Sequence, residues 1–361
     1  MGQSFNFDAA VLNSVVGGVS ALDMPKLNIL NLAEADAFVQ GYGFDITQEK
    51  DVERLWYYYR RALVLITEKL EFKLSDIPEV MRDSKNVNDL RNLLLWASDN
   101  DDSEKQKWAC AFLRVMHVFT HAENDLFSTF SEEIQKQILT PIQDSIYHEG
   151  SSGTTFLKNN TEKMIALSGF EVKPFKTSSS TVIKLLAKPT ALAMSVFDKL
   201  GFRFVTNNVY DSFRVVRYLV DYNLISYPHI MPDQSSNNLY PVDLFLSVIE
   251  ESKFNQMNPE QINQLLEKKL LDNRESISFL RKENTFSGED YRFIKFICRK
   301  LIKVKNESAK KEFSFFYPFE VQIMDLESHQ KILSGPSHHQ AYKDRQITAA
   351  RERLFPTKKV K

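Results

Sequence analysis

Apolar residues recur at helical spacing through the first part of the chain. One series runs from Val52 to Ile66, a second from Leu90 to Ala97 and a third from Trp108 to Phe119. Spacings of three and four residues place side chains on one face of a helix. Ser131-Glu-Glu-Ile has the form of a helix N-terminus, with Ser131 as its cap. The pattern predicts four or five helices and no strands between Leu32 and Tyr147.

The pattern changes after Glu149–Thr155, a short segment of small polar residues that is typical of a boundary. Short apolar runs with strand-like alternation follow it, and an amphipathic run from Phe213 to Leu224 predicts a helix. The predicted strands are Gly201–Thr206, Tyr291–Val304 and Phe313–Met324.

These elements indicate an α+β protein in which an all-α helical domain precedes a domain with a mixed sheet flanked by helices. We predict a loosely ordered lead-in at residues 1–30, the helical domain at 31–148 and the α+β domain at 149–361. Within the last of these, residues 241–283 have a helical pattern and are predicted to be an insertion.

The amino-acid composition excludes several classes of protein for this chain. The chain has 361 residues with 43% hydrophobic residues, and its 46 Lys and Arg nearly balance its 47 Asp and Glu. A site for a polyanion must therefore be local. Two separate cysteines, Cys110 and Cys298, exclude a disulfide scaffold and a thiolate zinc site. The first residues do not resemble a signal peptide, and no apolar run is long enough to span a membrane. We expect a soluble, cytoplasmic protein with no membrane partner.

Two acids stand next to predicted strands. Asp198 comes just before the strand that starts at Gly201, and Glu320 lies within a later strand. Because Glu320 and Gln322 alternate with Val321 and Ile323, the acid and the amide share one face of that strand. Carboxylates from two neighbouring strands can hold Mg²⁺ against the phosphates of a nucleotide. Each acid alone can equally be a solvated residue at a strand end.

The residues downstream of Glu320 give that acid a wider context. His329 follows it by nine positions, Gly335 by fifteen, His339 by nineteen and Tyr342-Lys343 by twenty-two and twenty-three. This spacing resembles, without a gap, the signature that closes the synthetase domain of RelA/SpoT alarmone synthetases. Three further elements, in the expected order, extend the resemblance over about 170 residues, from Lys173 to Arg345.

These three elements lie upstream of Glu320. Phe197-Asp198-Lys-Leu-Gly-Phe-Arg203 is similar to the family's F-D-x-x-x-x-R, in which the Asp is a metal ligand. Thr181-Val-Ile-Lys184 is similar to its S-I-x-K element. Asp290-Tyr291-Arg-Phe-Ile-Lys295 is similar to its N-G-Y-x-S-I-H element, whose Tyr stacks on the acceptor guanine.

The resemblance implies a pyrophosphokinase that moves the β,γ-pyrophosphate of ATP to the 3′ hydroxyl of a guanosine nucleotide, with Mg²⁺ as cofactor. Asp198 and Glu320 would be the catalytic acids and metal ligands. The implied substrate-binding residues are Lys184, with Lys173 or Lys176, for the ATP phosphates, Tyr291 for a base, Gln322 and Arg203 to orient and brace the acids, and Thr181, Lys295 and His339 within matching motifs.

Departures from the family pattern fall mainly on the acceptor side. Glu289-Asp290 replaces Asn-Gly before Tyr291, Lys295 replaces a His, and Met324-Asp325 replaces Arg-Thr. Leu333 stands where the family carries a second Glu, and Lys173 and Lys176 are out of register with an expected Arg-x-Lys pair. Three functions therefore remain open: alarmone synthesis, pyrophosphate transfer to another acceptor such as the 3′ end of a tRNA, and nucleotide binding without catalysis.

Two further groups of residues have a structural and a functional interpretation. His117 and His121 have the spacing of metal ligands on a helix, but the chain lacks the His-Asp dipeptide of the family's hydrolase domain. We interpret them as helix-packing residues. The basic run from Lys295 to Lys311 is either a solvated hairpin or a surface that faces RNA or a nucleotide.

Overall fold

The computed structural model describes residues 9–17, 20–99, 103–123, 126–150, 154–158, 163–173, 178–188, 197, 199–273, 279, 292–306, 311–334 and 339–355. Its helices are α1 (Ala9–Val15), α2 (Leu32–Tyr42), α3 (Glu49–Val64), α4 (Ser84–Val87), α5 (Arg91–Ala97), α6 (Glu104–Glu123), α7 (Leu126–Ile134), α8 (Thr140–Asp144), α9 (Ser178–Ala187), α10 (Val209–Asp221), α11 (Val242–Phe254), α12 (Pro259–Asp272), α13 (Leu326–Ser334) and α14 (His339–Leu354). Its strands are β1 (Ile146–His148), β2 (Thr155–Lys158), β3 (Lys163–Lys173), β4 (Gly201–Thr206), β5 (Ser236–Asn237), β6 (Ile294–Asn306) and β7 (Lys311–Asp325).

The chain divides into two compact units. The helical unit comprises residues 1–125, 177–196 and 343–361, and the sheet unit comprises residues 126–176 and 197–342. The unit limits differ from the predicted domain limits, because α7 and α8 pack with the sheet rather than with the helices that precede them. The α+β fold class predicted from the sequence is confirmed.

The helical unit is built around α6, whose side chains are largely buried. Tyr59 of α3 stacks on Phe112 of α6 with ring centroids 5.2 Å apart, and its hydroxyl donates to the carbonyl of Met81 at 2.7 Å. Val182 and Leu186 of α9 belong to the same core. Burial of these large side chains stabilises the unit.

The end of the predicted helical region agrees with expectation at Ser131 and differs from it at Tyr147. The helix α7 is interrupted at Phe130, whose backbone angles are non-helical, so a new helical segment begins at Ser131 as predicted. Ile146–His148 forms a strand, β1, whereas a helical pattern was predicted as far as Tyr147. The pairing of β1 with β2 explains this difference, because hydrogen bonds to another strand outweigh a local helical pattern.

A sheet of seven strands, in the order β1-β2-β3-β4-β7-β6-β5, forms the centre of the second unit. Strands β4 and β7 run parallel, with Gly201 opposite Glu320 and Arg203 opposite Gln322. The neighbouring pairs β3–β4 and β6–β7 are antiparallel. The three strands predicted from the sequence are confirmed, and Gly201–Thr206 has the predicted limits.

The two faces of the sheet differ in chemistry because side chains alternate along a strand. Phe202 and Phe204 of β4 and Val321 and Ile323 of β7 point into a core that α10 covers. All four side chains are buried. The opposite face carries Arg203 and the other polar residues of the central strands. We call it the polar face.

The predicted insertion is helical through α11 and α12. These two helices share a small core with Tyr240 and with Phe213 of α10, whose ring stacks on Phe245 at 3.9 Å. Asn258 and Gln261 form a capping box at the start of α12. Among the described residues, no helix is long and apolar enough to cross a membrane.

We predict that Phe204→Ala lowers the free energy of unfolding by about 3–5 kcal/mol, because it leaves a cavity in the core face of the sheet. Phe254→Ala is a matched control, since Phe254 is 89% exposed and the same change there should alter stability by less than about 0.5 kcal/mol. Urea unfolding of both variants measures the difference. Equal effects would contradict the assignment of the faces.

Candidate active site

Lys173 and Glu320 meet on the polar face of the sheet. The backbone register places Lys173, Gly201 and Glu320 side by side on β3, β4 and β7. The Lys173 ammonium contacts the Glu320 carboxylate directly, so an ion pair spans the strand between them. Glu320 is only 5% exposed, and a carboxylate that is so buried needs a counter-charge.

Gly201 makes this approach feasible because it has no side chain. A Cβ at this position would lie 3.2 Å from Cδ of Lys173 and 3.4 Å from Cβ of Glu320. Such distances are tight for carbon atoms, so even an alanine would press against the lysine stem. The glycine is therefore required for close approach and not for an unusual backbone angle.

The chain enters β4 directly beside Glu320. The Glu320 N–H donates to the carbonyl of Leu200 at 2.9 Å. A second cation, Lys295 of β6, lies with its Nζ 3.9 Å from Oε2 of Glu320. The carboxylate thus lies between two lysines of the same face, one from β3 and one from β6, at the point where β4 begins.

The next row of the polar face is also charged. Glu171, Arg203, Gln322 and Lys295 lie opposite one another on β3, β4, β7 and β6. Arg203 donates to Oε2 of Glu171 at 2.9 Å and to Oε1 of Gln322 at 3.2 Å. These bonds fix the amide of Gln322, whose side chain lies on the same face as Glu320.

His329 of α13 completes the cluster. Its Nε2 lies 3.6 Å from Oε1 of Glu171 and has no hydrogen-bond partner among the described residues. Burial lowers the pKa of His329, Glu171 opposes that effect and Arg203 adds to it. The imidazole therefore favours the neutral form, in which one ring nitrogen can accept a hydrogen bond.

The residues Met324 and Asp325, which depart from the family pattern, have structural explanations. Asp325 caps α13, since its carboxylate accepts from the N–H of Ser328 at 2.9 Å. Met324 is buried against Val205. Leu333, which stands where the family has a second acid, is 61% exposed. Met324 and Asp325 therefore have packing and capping roles here.

The structure locates some of the predicted site residues and not others. Lys173, Arg203, Lys295, Glu320 and Gln322 lie together on the polar face. Asp198, Lys176 and Tyr291, with Glu289 and Asp290, lie outside the described residues, so their predicted roles stay predictions. His339 is the first residue of α14, but its side chain is outside the description.

The S-I-x-K-like element belongs to the other unit. Thr181 is buried in α9, and its hydroxyl has no hydrogen-bond partner among the described residues. Lys184 lies in the last turn of the same helix. The phosphate-binding role of Lys184 and the substrate-binding role of Thr181 therefore stay predictions.

Glu171 was missed in the sequence, together with the whole of β3. This strand contains a bulge between Leu167 and Gly169, so its apolar residues change phase. Ile165 and Leu167 are two residues apart, as are Phe170 and Val172, but the two pairs do not form one alternating series. The Glu171-Val-Lys173 alternation was the available signal.

The polar face fits a magnesium site in its donor chemistry. Mg²⁺ is commonly bound by one or two carboxylates, several waters and the phosphates of a substrate. Glu320 can supply one such carboxylate. Among the described residues, no group of three or more His, Cys, Asp and Glu side chains gathers as a complete metal cage. A metal here would therefore depend on Asp198 or on the substrate for its other ligands.

The pair His117 and His121 lies in α6 of the helical unit. Nδ1 of His117 forms a hydrogen bond of 2.6 Å with the hydroxyl of Tyr42. The ring centroids of His117 and His121 lie 4.5 Å apart. Burial, with a smaller contribution from His121, lowers the pKa of His117 to about 4. These contacts agree with the packing interpretation.

No family model and no curated protein matches the chain. The solved structures that align with it include a GTP pyrophosphokinase family protein from Streptococcus pneumoniae, with 12% identity and a TM-score of 0.27; the alignment covers 63% of this chain and 86% of that one. The small alarmone synthetase 1 from Bacillus subtilis aligns with 12% identity and a TM-score of 0.30, over 64% of this chain and 91% of that one. The structure of that synthetase bound to its product pppGpp aligns with 12% identity and a TM-score of 0.26, over 67% of this chain and 90% of that one. TM-scores of this size do not establish a common function, so the proposal below rests on the residues of the polar face.

We predict that Lys173→Met lowers the free energy of unfolding at pH 7 by about 1–3 kcal/mol, because the buried Glu320 loses a counter-charge. The loss should be smaller by about 1 kcal/mol or more when Glu320 is already Gln. Urea unfolding of the wild type, both single variants and the double variant measures the coupling. Additive effects would show that the two side chains do not interact.

We also predict a pH dependence from His117. Its folded pKa lies below its unfolded value of about 6.5, so the neutral form stabilises the folded state. This contribution is present above pH ~6.5 and is lost as the pH falls toward the folded pKa. The stability advantage of the wild type over His117→Gln should therefore shrink by on the order of 1–3 kcal/mol over that interval.

Unfolding of both proteins at several pH values tests this dependence. His148→Gln is the control, because His148 is exposed at the edge of the sheet. A difference between wild type and His117→Gln that stays constant with pH would contradict the buried, neutral state of His117.

Proposed function

We propose that this protein is a Mg²⁺-dependent nucleotide pyrophosphotransferase, which moves the β,γ-pyrophosphate of ATP to the 3′ hydroxyl of GDP or GTP. The observation that carries the proposal is the row Lys173–Gly201–Glu320: a buried acid, flanked by two lysines, at the entry to a parallel strand. The motifs that resemble alarmone synthetases, which include Gly201, Lys295 and Glu320, also support it.

The charges of the polar face suit a polyphosphate. Lys173, Arg203 and Lys295 supply three positive charges, while Glu171 and Glu320 supply two negative charges and His329 favours the neutral form. Phosphoryl and pyrophosphoryl transfer need positioning and charge neutralisation more than covalent help. Lys173 and Lys295 can exchange their contact with Glu320 for contact with phosphate oxygens, since both have long flexible stems.

Glu320 and the predicted acid Asp198 would hold Mg²⁺, which would neutralise charge on the transferring group. In the transfer, the acceptor's 3′ oxygen bonds to the β-phosphorus of ATP, and the bond from that phosphorus to the α,β-bridging oxygen breaks. AMP leaves, and the proton of the hydroxyl passes to a base. Glu320 is the candidate for that base, and Arg203 holds Gln322 beside it.

Nucleotide binding without catalysis is the second candidate function. The ion pair between Lys173 and Glu320 favours it, because a carboxylate that is neutralised by an ammonium neither binds a metal nor accepts a proton well. The same polar face would then bind the phosphates of a nucleotide without catalysing a reaction, as in a protein that senses nucleotides.

We predict that the purified protein releases AMP from ATP when Mg²⁺ and GDP or GTP are present. Glu320→Gln should reduce the rate by about 100-fold or more, since a missing general base typically costs that much. Chromatography of the reaction mixture measures AMP and the pyrophosphorylated product. A parallel reaction with tRNA as acceptor distinguishes the alternative substrate.

Glu327→Gln is the matched control. Glu327 lies on α13, is exposed and pairs with Lys331, so the same change there should alter the rate by less than about twofold. Nucleotide binding by the wild type without AMP release would favour the binding-only function. A Glu320→Gln variant as active as the wild type would remove Glu320 from the site.

A further inference from the structure

The polar face continues beyond Glu320 along the hairpin of β6 and β7. Because side chains alternate along a strand, every second residue of the hairpin lies on the same face as Lys295 and Glu320. These residues form four cross-strand pairs between β6 and β7: Arg299 with Pro318, Leu301 with Phe316, Lys303 with Ser314 and Lys305 with Glu312. We call these eight residues the ribbon face. Apart from the half-buried Pro318, all of them are exposed.

Phe316 forms an aromatic platform on the ribbon face. Its ring is 43% exposed, and the Arg299 guanidinium lies over it at 5.3 Å from the ring centroid. The ring of His229 meets Phe316 edge-on at 5.0 Å. A large ring kept in solvent beside a cation offers a stacking surface to another flat ring.

The charge of the ribbon face is positive, although the chain has a net charge of −1. Arg299, Lys303 and Lys305 are cations, and Glu312, opposite Lys305, is the only acid among the eight residues. Phe316 lies four positions before Glu320 in β7, a span of about 13 Å along a strand. The platform and the cations therefore lead along one face toward the candidate active site.

The backbone edge of the hairpin is less open to a partner than its face. The side chain of Gln137 accepts from the N–H of Lys303 at 3.0 Å and donates to its carbonyl at 2.8 Å. A peptide that adds to a sheet needs those backbone groups. The face, with its exposed ring and cations, thus remains for a ligand whose planar bases stack and whose backbone carries negative charge.

We propose that the ribbon face binds single-stranded nucleic acid, with a base stacked on Phe316 and phosphates contacting Arg299, Lys303 and Lys305. A single strand exposes the faces of its bases, whereas a duplex keeps them stacked on one another. This binding is independent of the proposed transfer reaction.

The test is binding of a fluorescein-labelled single-stranded RNA of about 20 nucleotides, followed by anisotropy at several salt concentrations. Phe316→Ala should weaken binding about tenfold through lost stacking. Lys303→Gln should reduce the slope of log K against log salt by about 0.7, the value for one phosphate contact on a single strand. Duplex RNA of the same sequence should bind more weakly than the single strand.

Phe254→Ala and Lys253→Gln are matched controls, because both residues are exposed on α11 in the same unit and carry the same chemistry. Both should bind like the wild type, and thermal unfolding of each ribbon variant should match that of its control. The proposal would be overturned if Phe316→Ala and Lys303→Gln bound the RNA as their controls do, or if the wild type did not bind the RNA. Preference for an acidic peptide over RNA would overturn it as well.

Glu320→Gln separates this inference from the proposed function. The variant should bind the RNA as the wild type does, because Glu320 is not part of the ribbon face. Loss of AMP release with intact RNA binding would leave both proposals standing. RNA binding by a wild type that releases no AMP would contradict the transfer reaction alone. A single-stranded DNA of the same sequence shows whether the 2′ hydroxyl contributes.

Discussion

The structure of the polar face depends on one requirement: the carboxylate of Glu320, nearly removed from water, must have positive charge beside it. The parallel pairing of β4 and β7 places Glu320 opposite Gly201, and the missing side chain at Gly201 lets Lys173 reach across from β3. Lys295 approaches from the other side. Four strands must therefore be in register for this acid to be neutralised.

The same register links the chemistry to the core. Phe202 and Val321 alternate with Gly201 and Glu320, and both are buried on the opposite face. A shift of one residue in either strand would bury the charged residues and expose the aromatic ones. Hydrophobic burial on the core face thus determines where the charged groups stand, and Arg203 then orders the second row through Glu171 and Gln322.

Much of the sheet could be predicted from the sequence, because β4, β6 and β7 contain stretches in which polar and apolar residues alternate, such as Glu320-Val321-Gln322-Ile323. The grouping of Arg203, Lys295, Glu320 and Gln322 was accessible from the motifs, which assign these residues of three strands to one site, and the spacing within β7 places Glu320 and Gln322 on a shared face. The strand β3 was not predicted, because its bulge at Ser168 breaks the alternation. The ion pair of Lys173 with Glu320 depends on that strand and could not be foreseen from a motif.

If the polar face is a phosphate site, Lys173 and a bound cation compete there for Glu320. The affinities for Mn²⁺, as a probe for Mg²⁺, and separately for ATP can be measured in the wild type and in Lys173→Met. We predict that the variant binds Mn²⁺ about fivefold more tightly, which corresponds to about 1 kcal/mol of competition, and binds ATP more weakly. The gain in Mn²⁺ affinity should disappear when Glu320 is also Gln. Unchanged or weaker Mn²⁺ binding by Lys173→Met, or unchanged ATP binding, would contradict this prediction.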